Sequence, residues 1–230
     1  MLGIDPIYWL FAIPGLILSL LSQLFVKYTY AKYSKVDSGK GFSGMKVASE
    51  IKKMENLPVE INANQQTLGD HFDSTKNVVN LGTESADSTS VASVAVSSHE
   101  MGHVQQKFSR SFLYNFRRVL VPITNIGTNV GYILFFIGLF LARYELSEIG
   151  LIFFSTSVVF SLATIPVELD ASKRAMLFIK KYNFVAEENI SGARSVLRAA
   201  GLTYFAGLAS SILNLLYYVN ILGRNRSKRT

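Results

Sequence analysis

The sequence predicts a mainly α-helical integral membrane protein with about four transmembrane helices and a small α+β polar domain. Three observations carry this: four long uncharged apolar runs, a single extended polar region between the first two, and the pentapeptide His99-Glu100-Met101-Gly102-His103 near the end of that region.

The apolar runs cover approximately residues 7–26, 119–142, 149–167 and 202–222, and none contains Lys, Arg, Asp or Glu. At 1.5 Å rise per residue, a run of about 20 residues spans the roughly 30 Å hydrocarbon core of a bilayer. Four such helices in one small soluble chain would leave too little amphipathic sequence to cover them. The first run follows Asp5, has no basic flank before it and leads into no small-x-small cleavage site, so it reads as a retained span and not a secretory signal.

Composition narrows the chemistry. Of the 230 residues 49% are hydrophobic, and there is no cysteine, which excludes disulfides, thiolate metal sites and cysteine nucleophiles. A bound metal must use His, Asp or Glu, and the only histidines are His71, His99 and His103. The net charge of +7 does not signal nucleic acid, because the basic residues flank apolar runs and form no dense patch among exposed aromatics. Beside spans they report topology and contact with the lipid bilayer.

The chain is expected to form a single unit over 1–230, with its polar segments at 27–118 and 168–201. Within the first, FSGMKVASEIKKMENL has helical periodicity with Ser43 at its start. PVEINANQQTLGDHFD and KNVVNLG read as short strands, with Gly69-Asp70 and Asp73-Ser74 as turns. The serine-rich stretch SADSTSVASVAVSSHEMGHVQQKF keeps a compact face through Val91, Val94, Ala95, Ser98 and Met101, and is predicted to be one helix capped by Ser88 or Asp87. Eighteen of the 23 Lys and Arg lie in the two polar segments, which places both on the cytoplasmic side. The basic tail GRNRSKRT fits this poorly: either the last run stops short of crossing, or the tail is an exception.

His99 and His103 are four residues apart, about 400° of helix, so both imidazoles leave one face a turn apart and can reach one Zn²⁺. Glu100 sits about 100° further round, able to take a proton from water beside the metal. Gly102 is expected to leave room beneath the metal. A chain of this composition would show the pattern by coincidence roughly once in several hundred cases.

A catalytic zinc needs a third protein ligand and an open position. No downstream histidine follows His103, Glu145 and Glu148 fall in the connection on the opposite membrane face, and Glu187 and Glu188 lie in a polar loop. Glu168 remains, and two spans after His103 return it to the same side, with Pro166 able to start or kink a helix just before it. The alternative for Glu168 is an interfacial carboxylate paired with Lys173 or Arg174. Asp70, Asp170, Ser172 and Arg174 are candidates to orient the ligands, Ser172 sharing a helical face with Glu168 while Asp170 points away. His71 is either an oxyanion or substrate donor or a turn histidine paired with Asp70 or Asp73. The stripe Thr124, Asn125, Gly127, Thr128, Asn129 and Gly131 is expected to pack helices closely.

HEMGH, followed by two spans and then PVELDASKRA, resembles the YugP-like family of bacterial membrane zinc metallopeptidases and, more distantly, is similar to the HtpX-type membrane proteases. GDHFD before the metal helix also resembles the family's pattern, with Ser74 where a proline is expected. The resemblance implies a zincin-like domain, one Zn²⁺ per chain and a peptide or protein substrate. A non-catalytic metal-binding scaffold or transporter is the competing reading, and Glu100 opposes it, since a structural site has no use for a carboxylate beside an open position. A hydrolase acting on a non-peptide bond is a second competitor.

Overall fold

The computed structural model describes residues 6–64 and 69–227. Along the chain come α1 (Pro6–Tyr33), α2 (Gly44–Met54), β1 (Glu60–Asn64), β2 (His71–Asp73), β3 (Val78–Gly82), α3 (Thr83–Asp87), α4 (Val91–Phe108), α5 (Phe112–Phe140), α6 (Tyr144–Lys181) and α7 (Ile190–Ser227). The described residues are mainly helical, with one small sheet.

Among the described residues, four helices are long and apolar enough to cross a membrane: α1, α5, α6 and α7. Large side chains such as Leu16, Leu20, Ile126, Ile137, Ile152 and Leu216 point outward and exposed, as a hydrocarbon solvent requires. The helices overrun the apolar runs that announce them. α6 continues from Tyr144 through Pro166 to Lys181 without interruption, so Pro166 does not begin a new helix.

The chain divides into two compact units, 1–22 with 116–165 and 203–230, and 23–115 with 166–202. In the first, small residues allow close helix approach. A Cβ on Gly131 of α5 would stand 2.8 Å from the Gly150 carbonyl of α6, and one on Gly127 would meet Thr156 Oγ1 at 2.7 Å. Ser210 of α7 bonds Ser19 Oγ and the Gly15 carbonyl of α1, both at 3.2 Å. The far end of α7 lies beside the start of α6: Tyr144 donates to the Asn225 carbonyl at 2.9 Å and Arg226 pairs with Glu148 at 2.8 Å. The last helix therefore runs to the same end of this bundle as the α5–α6 connection.

The second unit gathers the polar segments around α4. β3 is the central strand, parallel to β1 and antiparallel to β2. Val79 and Leu81 alternate inward from it into a core with Val47 and Ile51 of α2, Val91, Val94, Met101 and Val104 of α4, and Phe178 and Ile179 of α6. Ser43 caps α2 as its position before the periodic segment suggests. The α4 start differs from expectation. Residues 83–87 form the separate helix α3, Asp87 ends it, Ser88 follows it, and the cap of α4 is Ser90, whose hydroxyl accepts from the Ser93 N–H at 3.2 Å. Two serines separated by one residue are equivalent to a local pattern. The bridge pairing Asp37 with Ser90 holds Ser90 in the extended conformation a cap needs.

Candidate metal centre

His99 and His103 stand one turn apart on α4, their ring centroids 4.8 Å apart and the rings nearly perpendicular. Opposite them α6 presents Glu168. Its Oε2 lies 3.3 Å from Nε2 of His99 and 3.3 Å from Nε2 of His103. The three side chains are 14%, 12% and 5% exposed, so the cluster is largely withdrawn from water. Their candidate donor atoms all lie within 4.8 Å of one another.

These residues fit a zinc ion. Ligands at 2.0–2.1 Å in tetrahedral array are separated by about 3.3–3.4 Å along an edge, and the two nitrogen–oxygen distances are both 3.3 Å. Two imidazoles and one carboxylate also form the donor set of a catalytic site, with a fourth position left over. Electrostatics agree. Burial pushes the His103 imidazole pKa down, but the carboxylates of Glu168 and Glu100 outweigh it and the net shift is upward, so the pocket favours positive charge. Glu100 is itself buried, beside His99 on α4.

The close approach of α4 to α6 explains Gly102 differently from the sequence. A Cβ there would lie 2.5 Å from the Ala171 carbonyl oxygen, so the glycine serves helix contact and not space under the metal. It brings Glu168, three residues before Ala171, against the histidines.

The expected orienting residues divide. Ser172 Oγ lies 3.2 Å from Nδ1 of His99, one turn of α6 beyond Glu168. Asp170 and Arg174 form an ion pair at 2.8 Å, so neither is the partner of Glu168. Asp170 nevertheless reaches the cluster through Gln106, whose Nε2 donates to Asp170 Oδ2 at 2.8 Å and whose Oε1 lies 3.0 Å from Nδ1 of His103. Gln106 is the residue that sequence reasoning missed. Its one signal is an amide three positions after His103 on the same helix face.

The carboxylate of Asp70 bonds elsewhere. It accepts from the Gly82 N–H at 2.9 Å and the Ser85 hydroxyl at 2.8 Å, which ties the turn before β2 to the start of α3, and burial pushes its pKa up. Its carboxylate is engaged there and not by the zinc-binding candidates. His71 is exposed; its Nδ1 lies 2.6 Å from the Gly69 carbonyl and its Nε2 3.2 Å from Asn80 Nδ2, so it is hydrogen-bonded to neither Asp70 nor Asp73 through these contacts. Asp73 instead accepts from the Thr75 and Lys76 N–H groups of the following turn.

Apolar helices able to cross a membrane, together with a His-His-Glu cluster largely withdrawn from water, define the class: a membrane protein with a site suited to one divalent cation. Residues 8–223 match the family described as "Putative neutral zinc metallopeptidase", and the chain belongs to that family. It is similar to "Putative membrane protease YugP" of Bacillus subtilis (strain 168), with 35% identity over 217 residues that cover 94% of this chain and 96% of that protein. No solved structure matches the chain.

Proposed function

We propose that the chain is a zinc-dependent membrane-bound endopeptidase that acts as one catalytic unit, with a zincin-like site formed on α4 and α6. The observation that carries this is the His99–His103–Glu168 cluster with Glu100 buried next to the first histidine. His99, His103 and Glu168 would hold one Zn²⁺. Bound zinc supplies a Lewis acid that polarises the scissile carbonyl and acidifies water.

The chain's own residues do the rest. Glu100 accepts a proton from the attacking water and delivers it to the leaving amine as the peptide bond breaks. Its place beside His99 sets it within the cluster without using it as a ligand. Ser172 holds the His99 ring through Nδ1, leaving Nε2 to face Glu168. We assign His71 to the framework of β2 and β3, because Gly69 and Asn80 engage both its ring nitrogens. The substrate is a peptide or protein, and the charge asymmetry of the polar segments supports a cytoplasmic site.

The test is metal analysis and peptide-library cleavage of purified protein, wild type beside Glu100→Gln. The reading expects about one zinc in both and cleavage in the wild type alone. Zinc with no cleavage of any peptide by the wild type would favour a non-catalytic metal-binding protein.

A further inference from the structure

The fully buried amide of Gln106 is surrounded by groups whose chemistry fixes its orientation. Its nitrogen lies 2.7 Å from the Val167 carbonyl and 2.8 Å from Asp170 Oδ2. Neither of these can donate, so both amide protons are committed to them and Oε1 must face the third neighbour, Nδ1 of His103. An amide oxygen can only accept. His103 must then carry its proton on Nδ1, and in the neutral ring Nε2 presents a bare electron pair on the side where Glu168 lies.

Asp170, the anchor of this amide, is itself fixed. Arg174 Nε donates to the same Oδ2 at 2.8 Å, and Arg174 Nη1 donates to Gln105 Oε1 at 2.8 Å. Gln105 Nε2 in turn donates to Glu55 Oε2 at 3.0 Å, at the end of α2. Lys181 and the Tyr182 hydroxyl hold the other oxygen of Glu55. Hydrogen bonds therefore run unbroken from the α2 terminus to one imidazole of the cluster.

We infer that Gln106 is a positioning residue that sets the tautomer and ring orientation of His103, with Asp170 as the anchor that keeps its amide from turning over. The inference rests on the reading of His103 as a zinc ligand. It also gives Asp170, which a helical wheel points away from Glu168, a role through a neighbour on α4.

Zinc affinity measured by chelator competition tests it. Gln106→Met keeps the volume and removes the acceptor, and affinity falls about 10–100-fold, the range for lost outer support of a ligand. Gln106→Glu keeps an acceptor for His103 but sets a carboxylate against Asp170 and the Val167 carbonyl, and affinity falls as well. In zinc-loaded protein labelled with ¹⁵N-histidine, the His103 Nδ1 proton is protected from exchange in the wild type and exposed in Gln106→Met. Wild-type affinity in both single variants, or a His103 Nδ1 proton as well protected in Gln106→Met as in the wild type, overturns the inference and leaves the metal site standing. A wild type that takes up no zinc overturns the metal site itself.

Discussion

At the scale of single residues, the proposed function divides two tasks, metal binding by the His99–His103–Glu168 cluster and proton transfer by Glu100. Glu100→Gln retains the size and hydrogen-bonding capacity of the side chain but cannot take a proton. We expect zinc content unchanged and peptide hydrolysis reduced by about 10²–10⁴-fold; unchanged turnover would remove Glu100 from the mechanism while sparing the metal site. His99→Ala, His103→Ala and Glu168→Ala each delete one of three converging donors. Zinc content after dialysis should drop sharply in all three, whereas Glu148→Ala, which deletes only a partner of Arg226, should keep it. Stoichiometric zinc in a His99→Ala/His103→Ala double variant would refute the assignment.

At the scale of elements, the site depends on how near α4 comes to α6. The Gly102 contact with the Ala171 carbonyl is backbone against backbone, so an added methyl group cannot be accommodated by a rotamer change. Gly102→Ala should destabilise the protein by about 1–3 kcal/mol, the usual range for overpacking, and weaken zinc binding because Glu168 is drawn off the histidines. The measurement is a thermal midpoint together with chelator competition. A Gly102→Ala variant with wild-type values for both would mean that this helix contact does not set the site. Asp70 belongs at this scale too: it is a brace between a turn and α3, and its loss should lower stability through that brace.

For the whole molecule, four helices long and apolar enough to cross a membrane pose the question of orientation. Eighteen of 23 basic residues lie in the two segments that flank the site, and this predicts a cytoplasmic location for them. The absence of native cysteine makes single-cysteine labelling clean. The structure also guides the choice of positions: Ser147 is fully buried, while Ser109, Glu145, Lys180 and Arg224 are exposed. In intact cells, cysteines at 145 and 224 should react with membrane-impermeant reagent and those at 109 and 180 should resist. Labelling of 109 and 180 with protection of the other two would reverse the orientation. Opposite behaviour of 109 and 180 would contradict the shared site itself.

The sequence by itself determined the elements whose signal is local. Uncharged runs of bilayer length announce the long helices, because in hydrocarbon every backbone group must be satisfied within its own helix. His99, Glu100 and His103 were legible because four residues of helix bring two imidazoles to one face, and no neighbour is needed to see it. Glu168 was legible only by elimination and by counting spans. Tertiary structure decided the rest. Which serine caps α4 depended on the pairing of Ser90 with Asp37, 53 positions earlier in the chain. The purpose of Gly102 depended on the helix opposite it, and Asp70 was drawn to Gly82 and Ser85 once the turn before β2 folded against α3. Gln106 gained its meaning only when α6 supplied two acceptors that no spacing along α4 could reveal. Covalent periodicity fixes what faces a common side of one element; what that side meets is settled by packing between segments far apart in sequence.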